Sequence, residues 1–363
     1  MIYLDNAATT KPKKKVIEDM IKVLESDFGN PSSLHNLGMN TENIISEARK
    51  ALSDSISAKE QEIYFAPSGT IANNTAILGY LKRNPRKGKK IFCSSVEHPS
   101  VHNVFEELKK EGYEALKIPV LNYELDYEFL EKNIDENTAI ISVMAVNNET
   151  GTVFDIKKIK DIINKKKLDT IIHSDLIQGY LKIPVNVNTF GADILTLSAH
   201  KIGGPKGIGG IYIKNGILIE PIYYGGGQEK NLFSGTENVA AIKGFGAAIE
   251  SYEKFDNSLY DLFLEKLNKD ITINSKKNIK NILNISLNIR SEIALHMLES
   301  KGIFVSSGSA CSQKKGEKNR VLKNFGIDKN RQDTAIRLSF SADITREDIM
   351  YACDVINKIG ESV

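Results

Sequence analysis

Thr170-Ile-Ile-His-Ser-Asp175 and Ile194-Leu-Thr-Leu-Ser-Ala-His-Lys201 decide the fold prediction for this chain. Each is a short apolar run that ends in polar residues, which is typical of a strand buried on both faces. Helical patterns separate such runs along the chain, for example at 101–110 and 156–167. Strands that alternate with helices predict an α/β fold with a mainly parallel sheet covered by helices.

After about residue 239 the pattern changes. The segment 257–280 is rich in lysine and asparagine, and strand and helix patterns lie around it. We expect helices at 239–255, 292–299 and 345–359 and a strand at 281–287. The two patterns predict a large domain of residues 13–254 and a smaller α+β domain of residues 1–12 and 255–363.

The composition is that of a globular protein without a strong surface charge. The chain has 363 residues, of which 41% are hydrophobic and 26% charged, and its formal net charge is +2. This length fits one large and one smaller domain. Near-neutral charge gives no overall field for nucleic acid or an anionic membrane, so we expect neither as a direct partner.

The three cysteines exclude two further classes of protein. They are too few and too odd in number for a disulfide framework, and no two of them form a Cys-x-x-Cys pair. We therefore expect no structural zinc site.

The longest apolar runs are too short to span a membrane, and the N-terminus has neither a basic leader nor an apolar signal core. A cytoplasmic protein is the expectation.

A lysine and an acid follow the two quoted strands. Because ligands of open parallel sheets gather at the carboxyl ends of the strands, Lys201 and Asp175 are expected near one ligand. Pyridoxal phosphate needs a lysine for a Schiff base and a carboxylate for its ring nitrogen. The two residues alone are equally compatible with an ion pair, or with a lysine on the surface.

Phosphate binding has its own candidates. Pro67-Ser-Gly-Thr70 lies between an apolar run and a helical pattern, and amides at a helix N-terminus bind phosphate. The glycine-rich stretch 202–210 is neither a Walker A loop, since Gly207 follows Lys206, nor a dinucleotide fingerprint. Further candidate donors to a phosphate are Ser198, His200 and Thr236.

Cys311 and Arg337 complete the set of candidate functional residues. Cys311 lies in a segment of serines and glycine and is followed by several lysines, which predicts a loop that carries a nucleophilic thiol. Cys93 and Cys353 lie in apolar patterns, which are typical of inert buried cysteines. Arg337 lies between apolar residues of a predicted strand, where it would pair with a substrate carboxylate or with a structural Asp or Glu.

Taken together, these motifs resemble those of the cysteine desulfurases of the class-V aminotransferase family, which are pyridoxal phosphate enzymes of fold type I. The resemblance covers essentially the whole chain. The motifs that carry it are Tyr3-Leu-Asp-Asn-Ala-Ala-Thr-Thr10, Gly29-Asn-Pro-Ser-Ser33 with His35, Glu97-His98, Val146-Asn-Asn-Glu-Thr-Gly151, His200-Lys201, Gly225-Gly-Gly-Gln-Glu229, Ser234-Gly-Thr236 and Ser306-Ser-Gly-Ser-Ala-Cys311.

The resemblance implies a role for each candidate residue. Lys201 would bind the cofactor covalently, His98 would stack on its ring, and Cys311 would accept the sulfur of L-cysteine as a persulfide. Asn148 and Arg337 would bind the substrate carboxylate. The remaining cofactor contacts would be Gly69, Thr70, Asn148, Asp175, Gln178, Ser198 and His200, with Thr236 contributed by the partner subunit of a homodimer.

The implied activity converts L-cysteine to L-alanine and passes the sulfur to an acceptor protein, either an iron–sulfur scaffold or a tRNA thiolase. Alternatives are an aminotransferase, a selenocysteine or sulfinate lyase, and a low-activity scaffold paralogue. Three positions depart from the family pattern: Ile71 replaces a Glu, Phe233 an Arg and Leu181 a Gly. These departures concern cofactor affinity, turnover and dimer contacts more than reaction type.

Overall fold

The computed structural model describes residues 1–307 and 319–361, and its elements alternate as the sequence predicts. The strands are β1 (Ile2–Tyr3), β2 (Ile63–Ala66), β3 (Lys90–Ser94), β4 (Glu114–Ile118), β5 (Val120–Leu121), β6 (Glu124–Leu125), β7 (Thr138–Ser142), β8 (Ile171–Asp175), β9 (Ile194–Ser198), β10 (Gly209–Ile213), β11 (Thr272–Ile273), β12 (Ile282–Ser286), β13 (Ile303–Phe304) and β14 (Ala335–Ser339).

The helices occupy the connections between these strands and the end of the chain. They are α1 (Lys14–Glu25), α2 (Asn36–Ile56), α3 (Gly69–Asn74), α4 (Tyr80–Arg83), α5 (Pro99–Lys110), α6 (Tyr127–Asn133), α7 (Ile156–Lys165), α8 (Val187–Phe190), α9 (Val239–Glu250), α10 (Asn257–Lys266), α11 (Ser291–Ser300), α12 (Arg320–Asn324), α13 (Lys329–Asp333) and α14 (Arg346–Glu361). One π-helical turn, Thr75–Gly79, joins α3 to α4.

The largest sheet in the described part of the chain has seven strands in the order β2-β10-β9-β8-β7-β3-β4. Strand β10 is antiparallel to both neighbours, and the other pairs are parallel. Successive strand residues enter different apolar clusters: Ile171 belongs to one and Ile172 to the other, and Ile140 and Ile141 divide in the same way. Because side chains alternate between faces, the sheet is covered on both sides. The predicted α/β fold with a mainly parallel sheet is confirmed.

A separate apolar cluster lies beyond this sheet. It joins Ile2 and Leu4 at the N-terminus to Phe263 of α10, Leu338 of β14 and Ile356 of α14. Strands β11, β12 and β14 form an antiparallel sheet beside it. This cluster supports our proposal that residues 1–12 and 255–363 form a small domain beside a large domain of residues 13–254.

Helix α10 lies inside the segment for which the sequence predicted no element. The Asp256 carboxylate accepts a hydrogen bond from the backbone N–H of Ser258 and caps the helix. Tyr260 and Phe263 are buried in the small apolar cluster. The prediction missed this helix because it weighed the lysines and asparagines of the whole segment 257–280, although five of the ten residues of α10 are apolar.

The apolar residues of helix α1 are only partly buried. Val16 is fully buried, whereas Ile17, Ile21 and Leu24 are 44%, 46% and 67% exposed. Helix α1 packs on α9 through the side that carries Val16 and Val23. The exposed apolar residues therefore remain an apolar surface of this chain.

Within the described residues, no helix combines the length and the apolar character needed to cross a membrane. The same part of the chain contains no group of three or more His, Cys, Asp or Glu side chains arranged to hold a metal ion.

Candidate active site

A cavity of about 400 Å³ opens at the carboxyl ends of β8 and β9. This volume lies within the range of small-molecule sites. The predicted site residues that line it are Gly69, Thr70, His98, Asn148, Asp175, Gln178, Ser198, His200, Lys201 and Arg337. Residues as far apart in the sequence as Gly69 and Arg337 are thus brought to one cavity.

Lys201 is held just beyond the end of β9. Its Nζ donates hydrogen bonds to the carbonyls of Ala7 at 2.6 Å and Ala8 at 2.7 Å. Burial and the positive charges of Arg337 and Lys182 lower the pKa of Lys201 to about 7. A neutral amine has two N–H groups, which satisfy both carbonyls and leave its lone pair free. Lys201 is therefore suited to react with a carbonyl carbon at neutral pH.

Asp175 ends β8 and is 4% exposed. Its carboxylate accepts hydrogen bonds from the Ile177 backbone N–H at 2.9 Å and the Asn73 amide at 2.8 Å. Burial raises the pKa of Asp175, whereas these two bonds and the charge of Lys201 oppose the rise. Asp175 and Lys201 form no salt bridge with each other, so the ion-pair interpretation of these two residues is wrong.

His98 caps the N-terminus of α5. Its Nδ1 accepts the Ser100 backbone N–H at 3.2 Å, and Pro99 occupies the first helical position, where no N–H is needed. Burial and the charges of Lys201 and Arg320 lower the pKa of His98 to about 4. The ring is therefore neutral at physiological pH.

The start of α3 and the end of β9 form one polar corner of the cavity. Ser68 caps α3 by accepting the Ile71 backbone N–H at 3.2 Å. A Cβ on Gly209 of strand β10 would lie 2.9 Å from the Gly69 nitrogen. The start of α3 and strand β10 therefore pack too closely there to admit a side chain at position 209. Burial and the charge of Lys201 lower the pKa of His200 to about 3, which leaves a neutral ring beside this corner. Backbone amides and neutral donors are suited to a phosphate.

Arg337 also lines the cavity and is 2% exposed. Its Nη2 pairs with the Asp5 carboxylate at 2.8 Å, and its Nη1 donates to the Asn148 carbonyl at 2.9 Å. Within the described part of the chain, Arg337 Nε and Asn148 Oδ1 are buried without a hydrogen-bond partner. Arg337 thus forms the structural ion pair and also keeps one donor unused in the wall of the cavity.

The predicted ring contact Gln178 lies next to both lysines. Its Nε2 donates to the Ala7 carbonyl at 2.8 Å, which is the same carbonyl that Lys201 contacts. Lys182 Nζ lies 3.5 Å from Gln178 Oε1. Burial lowers the pKa of Lys182 to about 8.

Two predicted residues are not placed in this cavity. Thr236 is exposed and does not line it. Cys311 lies outside the described residues. Cys93 and Cys353 are buried, as predicted for inert cysteines, and burial raises the pKa of both thiols, that of Cys353 to about 11.

The three departures from the family pattern have different surroundings. Phe233 is buried in an apolar cluster, and Ile71 packs against the same cluster, so two apolar side chains replace two charged ones. Leu181 adopts a left-handed backbone with φ of 60°, the conformation that glycine tolerates best. The Leu181 side chain packs against the main core.

Sequence reasoning missed three residues that hold the site together: Asn73, Ser100 and Asp5. The first two bond to Asp175 and His98, and Asp5 pairs with Arg337. Helical spacing was the available signal for Asn73, because it lies three residues after Thr70 and on the same helix face. No local pattern connects Asp5 to Arg337.

Comparisons with known proteins agree with this geometry. The profile of the family described as aminotransferase class-V matches residues 2–351. Cysteine desulfurase IscS of Dictyoglomus turgidum is 39% identical over 376 aligned positions, which cover 100% of this chain and 95% of that protein. A solved structure named NifS-like protein is 31% identical with a TM-score of 0.92, covering 99% of this chain and 98% of its own. A structure named SspA in complex with cysteine is 28% identical with a TM-score of 0.84, covering 94% and 99%.

Proposed function

This chain belongs to the class-V aminotransferase family, and we propose that it is a cysteine desulfurase. In this reaction L-cysteine and a protein thiol give L-alanine and a protein persulfide, and every atom of the reactants is retained. The observation that carries the proposal is the meeting of Lys201 and Asp175 in one cavity, in a chain that matches a desulfurase over its full length.

The cofactor of this family is pyridoxal 5′-phosphate (PLP). When bound, PLP supplies an aldehyde carbon and a ring that accepts electrons from the substrate. The residues present fit it. Lys201 offers an amine with a lowered pKa, Asp175 offers a buried carboxylate with only neutral donors on it, and the corner at Ser68–Thr70 offers backbone amides.

Each group in the cavity then has a task that its surroundings support. Lys201 would hold PLP covalently, and Asp175 would face the ring nitrogen and keep it protonated. Gly69, Thr70, Ser198 and His200 would bind the phosphate, and Gln178 would bond the ring hydroxyl. His98, which is neutral and at the edge of the cavity, would cover the ring and hold a proton beside it.

Substrate binding is proposed for Arg337 and Asn148. Arg337 Nε–H and Asn148 Oδ1 are buried without a hydrogen-bond partner, which costs free energy. A polar ligand that bonds to these two atoms would remove that cost. The carboxylate of L-cysteine would accept a hydrogen bond from the Arg337 guanidinium, while the ion pair with Asp5 holds that guanidinium in its orientation.

Cys311 is proposed as the sulfur acceptor. Its thiolate would attack the substrate sulfur, the bond from that sulfur to the substrate β-carbon would break, and the sulfur would remain on Cys311. The β-carbon would keep the electron pair of that bond and take up a proton, which gives the methyl group of alanine. An acceptor protein, either an iron–sulfur scaffold or a tRNA thiolase, would then take the sulfur in the cytoplasm. Neither a nucleic acid nor a membrane is proposed as a direct partner.

A homodimer is also proposed. Helix α1 exposes the apolar side chains Ile17, Ile21 and Leu24, and the segment that follows it in the chain exposes Phe28 and Leu34, which are 69% and 98% exposed. A second copy would cover these side chains. It would also bring Thr236, which does not line the cavity of its own chain, to the cavity of its partner. Sedimentation analysis should give a mass of two chains, and a monomer that binds PLP normally would contradict the dimer.

The direct test combines product analysis with two cysteine variants. The purified protein with PLP and L-cysteine should release alanine and form a persulfide on Cys311. Cys311→Ser should stop both, whereas Cys353→Ala, at a buried cysteine of the small apolar cluster, should leave both unchanged. Alanine release without any cysteine-borne persulfide would instead favour a lyase, and no alanine from the wild-type protein would overturn the proposal.

A further inference from the structure

Asn73 lies at the centre of a buried hydrogen-bond network behind the cavity. It has no exposed surface. Its Nδ2 donates to Asp175 Oδ2 at 2.8 Å and to Ser100 Oγ at 2.9 Å. Its Oδ1 accepts the hydroxyl of Thr196 at 2.5 Å. Both hydrogens of the amide and its carbonyl oxygen are therefore used.

One branch of this network determines which nitrogen of His98 carries the proton. The Ser100 backbone N–H donates to His98 Nδ1, so that nitrogen has no hydrogen of its own in the neutral ring. Ser100 Oγ lies 2.8 Å from the same Nδ1 and must donate to it. Ser100 Oγ is free to do so because it accepts from Asn73. The proton of His98 consequently sits on Nε2.

The other end of the network fixes the orientation of the Asn73 amide. Thr196 gives its only hydrogen to Asn73 Oδ1, so it accepts from His173 Nε2 at 3.3 Å. His173 Nδ1 then accepts the hydroxyl of Ser142 at 2.8 Å. Burial lowers the pKa of His173 to about 3, which keeps this ring neutral and the direction of the bonds constant.

We propose that Asn73 is a positioning residue for the reaction: it holds the Asp175 carboxylate and, by donating to the Ser100 hydroxyl, directs that hydroxyl onto Nδ1 of His98. The inference rests on the proposed function, because Asp175 is assigned to the ring nitrogen of the cofactor and His98 to the face of its ring. A single amide with two donors keeps both groups in one arrangement. A change at position 73 therefore acts on both at once.

The experiment compares Asn73→Ala, Ser100→Ala and the double variant of the full chain. Asn73→Ala should weaken PLP binding by about tenfold, since Asp175 loses a hydrogen bond to its charge. It should also shift the pH titration of the visible absorbance of the bound cofactor. Ser100→Ala should lower kcat with the Kd for PLP unchanged, because it alters only the His98 branch. The double variant should have the kcat of Asn73→Ala alone, as expected for one connected chain.

Two further variants separate positioning from folding. Asn84→Ala removes two side-chain hydrogen bonds to the carbonyls of Tyr80 and Leu218, away from the cavity, and should change melting temperature without changing kcat or PLP affinity. Asn73→Leu keeps the approximate size of the side chain without its two donors, and should reproduce the loss of PLP affinity and the absorbance change if the alanine variant does not fold. The inference would be overturned if both Asn73 variants kept the PLP affinity and absorbance of the wild type. It would also be overturned if the effects of Asn73→Ala and Ser100→Ala on kcat were additive.

The tautomer of His98 gives a readout that does not depend on catalysis. In the full chain labelled with 15N-histidine, without cofactor, the shifts of His98 should show a protonated Nε2 in the wild type. The Nδ1 shift should move in Ser100→Ala and Asn73→Ala, because these variants remove or release the Ser100 hydroxyl that donates to Nδ1, whereas the Ser100 backbone N–H still donates to it. Identical His98 shifts in all three proteins would contradict the network. A wild type that shows this tautomer but releases no alanine would reject the proposed function and leave the network supported.

Discussion

The lowered pKa of Lys201 predicts how the stability of the cofactor-free protein depends on pH. Burial moves this pKa from 10.5 to about 7 in the folded chain. Between these two values the unfolded chain holds a proton on Lys201 that the folded chain lacks. Stability therefore rises with pH across this window, and the destabilisation from Lys201 is complete below pH 7 and lost above pH 10.5.

Lys201→Met removes this contribution with little change in side-chain volume. Each pH unit within the window is worth about 1.4 kcal/mol for one group. From pH 8 to pH 9.5, the wild type should therefore gain about 2 kcal/mol relative to the variant.

Urea unfolding of both cofactor-free proteins at several pH values measures this difference. Lys14→Met, at a lysine whose side chain is 90% exposed, is the matched control for replacing lysine by methionine. Parallel stability curves for the wild type and Lys201→Met would refute the reasoning, because they would mean that Lys201 takes up its proton equally in the folded and unfolded chains.

Other substitutions test the ion pairs and the tight packing near the cavity. Arg337→Ala leaves Asp5 without its partner and should cost about 3 kcal/mol in urea unfolding. The same variant should raise KM for cysteine about tenfold, and an unchanged KM would leave the residue a structural role only. Glu229→Gln breaks the paired bonds to Arg49 and should also cost about 3 kcal/mol, whereas wild-type stability would show that the pair is dispensable. Gly209→Ala would place a methyl 2.8 Å from backbone atoms, so it should lower the melting temperature and PLP affinity, and full affinity would disprove a tight corner.

Local sequence determined the large sheet. Apolar runs such as 194–197 are long enough for buried strands and too short for helices, and amphipathic stretches separate them. This alternation can be recognised without knowledge of any long-range contact. The positions of Lys201 and Asp175 at strand ends followed from the same pattern. Helix α10 did not follow from it, because the lysines and asparagines of segment 257–280 obscured its apolar residues, whose burial depends on what packs against them.

Tertiary structure alone decided what each site residue contacts. The pairing of Asp5 with Arg337 joins residues 332 positions apart, and the Asn73 network draws on α3, α5, β7, β8 and β9. Hydrogen bonds and burial depend on distances that the chain sets only when its distant segments meet. The sequence could therefore supply a lysine, an acid and an arginine, whereas the lowered pKa of Lys201 and the tautomer of His98 arise from the folded surroundings.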